Sequence, residues 1–406
     1  MYMVPHFVYT FPKLVKPLLM YRYNTLEKAK QRAHQMGGVG ALYAWSSISG
    51  EECETIYEAS TAQYHLLSDI AYAIGKYWEA TGDKEFLVNY GAEIIFETAR
   101  FLADRGSFIP ARGNKFCINS VCGPNEYSCG VNNNCYTNMM VQWHMQTAVA
   151  IYDYMSKSAT EQFLSLTKRT LLKDEERQLW QRIADNMYIP FNEPMGIHEA
   201  DDSFLYLDPV KMKKMPQHMD VRFIGIHPIN LWRMQIIKQA DVVLLMFVLG
   251  QKFTTDQKRA NYAYYEPLTN HGSSLSTSIH SIIASEIGKF EEAYEYWRQS
   301  AYMDINNIKD NAEKGLHMAC MGGTWMAIVN GFAGMRDYPN GLEFNPIVPD
   351  RWKAYRFKIN YKGSLILVDI NRNGTNYKLL SGKDVCFYSA GNKIELSLKC
   401  VENSTI

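Results

Sequence analysis

The sequence predicts a mainly α-helical protein in which a large helical domain, residues 1–338, precedes a small antiparallel β domain, residues 339–406. Two patterns predict this division. Up to residue 338, apolar residues recur at the three- and four-residue spacing of amphipathic helices. After Tyr338, apolar and polar residues alternate, which is typical of strands with one buried face. A chain of 406 residues is long enough for two or three domains.

The clearest helical pair lies between Thr61 and Phe101. An apolar stripe runs to Ala80, Gly82 can adopt the left-handed conformation that ends a helix, and Asp83 can cap the next helix. Further helices are predicted at about 24–37, 136–156, 171–187, 230–250, 254–266, 275–287, 289–302 and 318–332. No sequence repeat indicates a solenoid, so the pattern leaves two arrangements open: a closed toroid of helical hairpins and an irregular helical domain.

The β domain is predicted from alternation and from turn residues. Apolar and polar residues alternate from Tyr355 to Tyr361, and Lys362-Gly363 makes a turn into the next strand, at 365–370. Asn373-Gly374 is a strong hairpin signal. Further strands are predicted at 377–380, 385–388 and 394–398.

The charge balance argues against two classes of partner. Lys and Arg together number 42, as do Asp and Glu, so the chain lacks the basic excess with which proteins neutralise nucleic-acid phosphates. The longest apolar run, Val242 to Leu249, is much shorter than the roughly 18 residues that a membrane helix needs. We therefore expect neither a nucleic acid nor a membrane as a partner.

The cysteines and the N-terminal residues indicate a reduced, cytoplasmic protein without a metal site. None of the eight cysteines belongs to a C-x-x-C pair. The four between Cys117 and Cys135 match no common metal spacing, which favours packing residues and loop thiols over metal ligands. Residues 1–11 lack the pattern of a signal peptide.

The first candidate site is the loop from Cys122 to Tyr127, in which Glu126 follows a Gly-Pro turn. Partial burial there would raise the pKa of Glu126 and suit it to act as a general acid. The alternative is a solvated loop carboxylate without a catalytic role.

The second candidate is His271-Gly272-Ser273-Ser274, which leads directly into a predicted helix. Free backbone N–H groups, hydroxyls and an imidazole at a helix N-terminus form a natural oxyanion or phosphate site. The alternative is an ordinary serine N-cap.

A third loop runs from Gly315 to Trp325. Its small residues permit close backbone approach, while His317 and Trp325 either face a ligand or pack in the interior. Lys238 and Gln239 lie in an otherwise apolar predicted helix and need polar partners, so they face either a polar cleft or the solvent.

Taken together, these segments resemble glycoside hydrolase family 65, the inverting phosphorylases of α-glucosides such as maltose, trehalose, kojibiose and nigerose. The motifs that carry the resemblance follow the family's order and cover nearly the whole chain: Tyr21-Arg22-Tyr23, Gly40-Ala41-Leu42-Tyr43 with Trp45, the Gly123 to Tyr127 loop with 131–138, and segments 237–241, 271–276, 315–325 and 331–334. The resemblance implies an (α/α)6 barrel followed by a small β-sandwich domain.

The resemblance also implies roles for individual residues. Glu126 would be the general acid that protonates the glycosidic oxygen, while inorganic phosphate attacks the opposite face of the sugar, so no general base is needed. Lys238 and Gln239 would contact sugar hydroxyls, and Trp45 would line the glucose site. The phosphate pocket would be formed by His271, Gly272, Ser273, Ser274 and His317.

The implied reaction converts an α-glucoside and phosphate into β-glucose 1-phosphate and the released acceptor. Its only partners are the disaccharide and inorganic phosphate, which acts as co-substrate, and no cofactor is implied. The family is commonly dimeric, so a homodimer is expected.

The chain departs from the family at its start and at two positions. Family members normally carry a large N-terminal β-sandwich domain and a Trp-Asp pair shortly before the first barrel motif. This chain begins with Met1-Tyr2-Met3-Val4-Pro5, which resembles the segment just after that pair. Ala44 and Ala200 stand where Pro and Gln are usual. We therefore expect a barrel that is truncated at its N-terminus.

Two other functions stay open. A hydrolase of the same family would release glucose without phosphate and would use Asp201 or Asp202 as its base. A non-catalytic remnant would fold and bind sugar weakly without turnover. Linkage preference depends on variable acceptor-side loops, although segment 241–245 resembles the kojibiose, nigerose and trehalose branches more than the maltose branch.

Overall fold

The structure is a computed structural model that describes residues 1–53, 61–210 and 218–398, apart from the side chains at 223 and 224. The end of the predicted β domain, residues 399–406, lies outside the described residues. In chain order the α-helices are α1 Met3–Thr10, α2 Val15–Asn24, α3 Leu26–Gln35, α4 His65–Thr81, α5 Lys84–Phe86, α6 Ala92–Arg105, α7 Cys135–Ser158, α8 Thr160–Thr170, α9 Asp174–Asn186, α10 Pro228–Trp232, α11 Val242–Val248, α12 Thr255–Tyr265, α13 Ser276–Glu286, α14 Phe290–Ala301 and α15 Met318–Met326.

Six of these helices form a closed inner ring. Each packs on the next, in the order α1, α4, α7, α11, α13 and α15, and α15 packs back on α1. Helices α6, α9, α12 and α14 pack against members of this ring and form its outer layer. The architecture is therefore an (α/α)6 barrel, which confirms the fold predicted from the sequence and decides between the two arrangements that periodicity left open.

The helical hairpin predicted between residues 61 and 101 is confirmed. Helix α4 buries its apolar stripe, including Leu67 and Ile74, and ends at Gly82, whose φ of 70° is left-handed. The Asp83 side chain then accepts a hydrogen bond of 2.9 Å from the Phe86 amide and caps the following helix. That helix runs from α5 through the π-helical turn Leu87–Gly91 into α6.

The continuous helix predicted over 230–250 is wrong. The chain instead forms α10, an irregular segment over 233–241, and α11. Ile237 bridges to Thr269 in this segment: its amide donates to the Leu268 carbonyl at 2.8 Å, and its carbonyl accepts from the Asn270 amide at 2.9 Å. These backbone bonds to a distant loop replace the helical bonds, so Lys238 lies on a loop rather than within a helix.

The strands predicted in the C-terminal part are confirmed, and they form two sheets. Two short pairs lie between helices: β1 Ser107–Ile109 with β2 Lys115–Cys117, and β3 Phe191–Asn192 with β4 Ile197–His198. The strands of the two C-terminal sheets are β5 Arg336–Tyr338, β6 Gly341–Phe344, β7 Ala354–Tyr361, β8 Ser364–Asn371, β9 Gly374–Ser381, β10 Val385–Ser389 and β11 Asn392–Leu396. One sheet has the order β11-β10-β6-β5 and the other β7-β8-β9. Pairing is antiparallel except between β10 and β6, which run parallel.

The sheets lie close to the barrel because the first strand continues from its last helix. Helix α15 runs through the π-helical segment Ala327–Phe332 into β5. Strand β7 packs on α1 and α4, and the Asn360 side chain donates to the carbonyls of Tyr9 and Thr10 at 3.3 and 2.9 Å. The predicted domain boundary at 338 and 339 falls within the β5-β6 hairpin and stays a prediction.

Gly40 should be required for the packing of its loop against α6. Its φ is 73°, and a Cβ there would lie 2.3 Å from the Glu97 carbonyl oxygen. Gly37 is a matched control because its φ is 76° and a Cβ would meet nothing within 4 Å. We expect Gly37→Ala to cost about 1 kcal/mol of unfolding free energy from its backbone conformation. Gly40→Ala should cost about 2–4 kcal/mol because overpacking is added. Urea denaturation followed by circular dichroism measures the difference, and equal losses would contradict this assignment.

Candidate functional site

The loop that carries Glu126 has no regular structure of its own and is held by Asn125. The Asn125 amide donates to Asp241 Oδ2 at 3.0 Å, and its side-chain Nδ2 donates to the Ile236 carbonyl at 3.1 Å. The Lys238 amide in turn donates to Asn125 Oδ1 at 2.9 Å. These bonds fasten the Glu126 loop to the irregular segment 233–241.

Two cations face the Glu126 carboxylate. Lys238 Nζ lies 2.7 Å and Arg222 Nη2 2.8 Å from Glu126 Oε2, and both cations also contact Asp220. Burial alone would raise the pKa of Glu126, but the charges and hydrogen bonds of Lys238 and Arg222 outweigh it and hold this pKa below its ordinary value. The expected raised pKa is therefore wrong, because the sequence did not show where the two cations lie.

Lys238 and Gln239 both face a polar interior. Lys238 is buried, and Gln239 Nε2 donates to the Pro124 carbonyl at 2.8 Å. Of the two alternatives left by the sequence, the structure selects the polar cleft. Asp220 shares the same cations: burial would raise its pKa, but Arg222 and Lys238 lower it to about 2.

The His271 side chain is buried and supports the start of the second candidate loop. Its φ of 51° is in the left-handed region, which is uncommon for a residue with a side chain. Tyr296 donates to Glu266 at 2.5 Å, so its oxygen accepts from His271 Nε2 at 3.1 Å, which leaves Nδ1 to accept from the Ser276 hydroxyl at 2.8 Å. Burial first, and then the neighbouring His280, His218 and Lys309, hold the pKa of His271 well below its usual value. The ring is therefore neutral, and both of its nitrogens are used within the protein.

The Glu126 loop and the 271–274 loop adjoin through Tyr127. A Cβ at Gly272 would lie 2.9 Å from the Tyr127 hydroxyl oxygen, so only glycine fits there without displacement. The same oxygen accepts from the Val221 amide at 3.0 Å and from Asn270 Nδ2 at 3.4 Å. Ser273 and Ser274 follow as half-buried residues immediately before α13. The structure thus brings Glu126, Lys238 and the 271–274 loop together.

Lys309 is a cation of this region that sequence reasoning missed. Its ammonium donates to the His218 carbonyl at 2.7 Å and to the His271 carbonyl. Burial, and next the charge of Lys238, lower its pKa to about 8. It lies in an irregular segment before α15 without any motif, so no sequence signal pointed to it. Arg222 was missed because it, too, lies in a segment without any motif.

The third loop joins α15 to the start of the chain. A Cβ at Gly322 would lie 2.7 Å from the Tyr2 carbonyl oxygen, so small residues permit close backbone approach, as predicted. Trp325 packs edge-on against His6 at 5.1 Å between ring centroids. The Asp304 carboxylate binds His317 at two points. Its Oδ2 accepts from the His317 amide at 3.0 Å, and its Oδ1 lies 2.5 Å from His317 Nδ1. Among the residues that the structure describes, His317 shares no hydrogen bond or ring contact with Glu126 or the 271–274 loop.

Trp45 lies beside a histidine that the sequence did not single out. The half-buried Trp45 is held by a hydrogen bond of 2.8 Å from its amide to Glu52, and its ring meets the His65 ring edge-on at 6.0 Å. His65 Nδ1 lies 2.8 Å from Asp69 Oδ2, and Asp69 Oδ1 accepts from the Tyr136 hydroxyl at 2.8 Å. His65 and Asp69 have the i, i+4 spacing of one helix face, which was the available signal.

The two carboxylates considered as hydrolytic bases are engaged elsewhere. Asp201 is buried, which raises its pKa, and it accepts from the Ser203 amide and hydroxyl at 2.8 and 2.6 Å. Asp202 pairs with Arg112 at 2.7 Å and accepts from Asn133 Nδ2 at 2.8 Å. Each carboxylate therefore supports its own loop.

Residues 1–53, 61–210 and 218–398 contain neither a candidate metal site nor a candidate membrane helix. No group of three or more His, Cys, Asp or Glu side chains in these ranges is arranged to hold a metal ion. None of the helices there combines the length and the apolar character that crossing a membrane requires.

Comparison with known proteins identifies the family. The glycosyl hydrolase family 65 central catalytic domain matches residues 1–326, and the C-terminal domain of the same family matches residues 335–396. The chain belongs to glycosyl hydrolase family 65.

The relatives are phosphorylases. The chain is 46% identical over 395 residues to an alpha,alpha-trehalose phosphorylase of Thermoanaerobacter brockii, covering 97% of this chain and 51% of the relative. Identity to a kojibiose phosphorylase of Halothermothrix orenii is 36%, covering 98% and 53%, and identity to a maltose phosphorylase of Bacillus subtilis is 37%, covering 94% and 50%. The chain thus spans about half the length of these curated relatives.

A solved structure has the same fold. It is a human-microbiome protein provisionally described as a kojibiose phosphorylase, with a TM-score of 0.91 and 30% identity. The match covers 100% of this chain and 53% of that one.

Removing one of the two cations should raise the pKa of Glu126. An adjacent positive charge favours the carboxylate, so Arg222→Gln and Lys238→Met should each raise this pKa. Arg233→Gln is the control, because Arg233 pairs with Asp208 instead. Titration by ¹³C carboxyl NMR, with the resonance assigned through Glu126→Gln, measures the change. An unchanged pKa in both variants would show that the ion pairs do not control the carboxylate.

Proposed function

We propose that this chain catalyses the inverting phosphorolysis of an α-glucose disaccharide to β-glucose 1-phosphate. The observation that carries the proposal is the contact of Tyr127 with Gly272, which sets a candidate acid and a candidate anion loop side by side. A hydrolase has no use for an anion loop next to its acid, whereas a phosphorolytic site must hold phosphate and sugar together. The known activities of the family relatives support the same reaction class.

In the proposed mechanism, Glu126 donates its proton to the glycosidic oxygen as the C1–O bond breaks. An oxygen of inorganic phosphate forms the new bond to C1 from the opposite face, which inverts the anomeric centre. Phosphate is itself the nucleophile, so no general base is required and the reaction uses no further cofactor. The protonated acceptor leaves as a free sugar.

Glu126 must be protonated to act, although Lys238 and Arg222 favour its ionised form. A bound phosphate is an anion beside these cations, and it offsets their effect on the neighbouring carboxylate. Phosphate binding and protonation of Glu126 would therefore favour each other. This coupling gives the two cations a role in the proposed reaction besides holding the loop.

The phosphate pocket is proposed at the start of α13. Ser273 and Ser274 offer hydroxyls and backbone N–H groups at the N-terminus of this helix, where the dipole favours an anion. Lys309 adds a positive charge through its contact with the His271 carbonyl. Neutral His271 would then position the loop rather than neutralise the ligand, and His317 would contribute from the start of α15.

Trehalose is the proposed first substrate among the α-linked disaccharides, because of the 46% identity to a trehalose phosphorylase. Trp45 would line the glucose site, and Lys238 and Gln239 would contact its hydroxyls. Kojibiose, nigerose and maltose complete the panel that tests this choice.

The test is release of β-glucose 1-phosphate from trehalose, kojibiose, nigerose and maltose, with and without phosphate. We expect product only with phosphate, and a loss of at least about 100-fold in Glu126→Gln, since general acid catalysis contributes that much or more. Glu175→Gln, an exposed change on α9, is the control and should keep full activity.

Each other outcome would overturn the proposal. Glucose release that does not depend on phosphate would show a hydrolase. A folded chain that binds sugar without any turnover would be a non-catalytic remnant.

A further inference from the structure

Two buried acceptor atoms beside the Glu126 loop are not satisfied by the protein. His65 and Asp241 are only 4% and 3% exposed. In the part of the chain that the structure describes, neither His65 Nε2 nor Asp241 Oδ1 has a hydrogen-bond partner. Buried polar atoms are nearly always paired, so unpaired ones in a site point to a ligand.

The hydrogen bonds of His65 fix which nitrogen carries the proton. Asp69 Oδ1 already accepts from Tyr136, and its Oδ2, as a carboxylate oxygen, accepts from His65 Nδ1 at 2.8 Å. Nδ1 therefore carries a proton, and in the tautomer protonated at Nδ1 the Nε2 atom keeps a lone pair. Nε2 can only accept a hydrogen bond.

Asp241, like His65, has one side-chain atom that the protein holds by hydrogen bonds and one that is unpaired. Its Oδ2 accepts from the Asn125 amide at 3.0 Å and from Asn134 Nδ2 at 3.4 Å. Its Oδ1 accepts a hydrogen bond from neither of these donors. Anchoring one oxygen next to Glu126 fixes where the unpaired oxygen lies.

The two acceptors belong to one region of the barrel. Asn134, which donates to Asp241, lies two residues before Tyr136. Burial first, and then the negative charges of Asp69 and Asp241, raise the pKa of the Tyr136 hydroxyl. The His65 ring packs edge-on against Tyr136 and Trp45, with centroid distances of 5.3 and 6.0 Å. The acceptors thus lie between the Glu126 loop and the aromatic ring proposed to line the sugar.

We propose that His65 Nε2 and Asp241 Oδ1 accept hydrogen bonds from two different hydroxyl groups of the bound glucosyl unit. The inference rests on the proposed function, because it assigns the ligand of the same site. A sugar hydroxyl is the natural partner because it can donate to either atom. His65 and Asp241 are specificity-determining residues in this assignment, and Asp69 and Tyr136 position His65.

The assignment makes a directional prediction that sugar analogues can test. An acceptor in the protein requires a hydroxyl that donates, so a fluorine at that position should bind as poorly as a hydrogen, since fluorine cannot donate. A donor in the protein would instead tolerate fluorine better than hydrogen. Each of the two hydroxyls should show the first behaviour.

The experiment is ligand-observed NMR titration of the full chain with glucose and its 2-, 3-, 4- and 6-deoxy and deoxyfluoro analogues. At two positions, both replacements should lower affinity by about tenfold relative to glucose. His65→Phe should lower glucose affinity by about tenfold and erase the dependence at one of these positions only. His198→Phe is the matched control, since His198 is also buried with an unpaired nitrogen but packs between Phe191 and Phe253.

Asp241→Asn supplies the sharper test. The amide oxygen can keep the bond from the Asn125 amide, which turns the free end of the side chain from an acceptor into a donor. The variant should then bind the fluoro analogue at the second position better than the deoxy analogue, which reverses the wild-type behaviour.

Two results would overturn the assignment. One is that His65→Phe and Asp241→Asn weaken every sugar equally, which a merely structural role predicts. The other is that the wild-type chain binds none of these sugars. Sugar binding with the expected pattern but without phosphate-dependent product would leave this assignment standing and reject the phosphorylase proposal alone.

Discussion

The candidate site depends on the side chain of Asn125. The loop that carries Glu126 has neither helix nor strand to hold it, and Asn125 bonds it to the carbonyl of Ile236 and the amide of Lys238. Its own amide bonds to Asp241. The Asn125 side chain thus joins its own loop to the 233–241 segment. That segment is in turn paired with residues 268–270, so three loops that are far apart in sequence are connected.

This linkage explains how irregular segments hold a defined charge arrangement. The Lys238 amide is hydrogen-bonded to the side chain of Asn125, the residue before Glu126. This bond positions Lys238 so that its ammonium pairs with the Glu126 carboxylate. Arg222 and Asp220 complete a group of two cations and two carboxylates. Formal charges cancel within the group, so an arriving anion must compete with these carboxylates for Lys238 and Arg222.

The sequence predicted the parts of the molecule that depend on local pattern. The α4 stripe, the Gly82 and Asp83 helix boundary and the C-terminal strands follow from periodicity and turn residues, and the structure confirms them. The sequence failed at 230–250, because pairing of Ile237 with Thr269 is a contact between distant residues that leaves no periodic signal.

The site was predictable in its loops and not in its charges. Glu126, Lys238 and Gly272 were singled out by sequence, and the structure brings their loops together. Arg222 and Lys309 lie in segments without motifs, and only folding shows that they meet the loops. The direction of the Glu126 pKa was mispredicted for this reason, since burial can be guessed from a sequence but neighbouring cations cannot.

Closure of the helical ring has a consequence for synthesis of the chain. Helix α1 packs on α15, and the Tyr9 hydroxyl donates to Asp337 across 328 positions of sequence. Val8 and Tyr9 are nearly fully buried in the finished barrel. On a ribosome, α4 emerges soon after α1, but α15 and Asp337 emerge only after more than three hundred further residues, so the part of α1 that meets them stays uncovered until then. The contact that closes the ring therefore forms only after the helices between α1 and α15 have been synthesised.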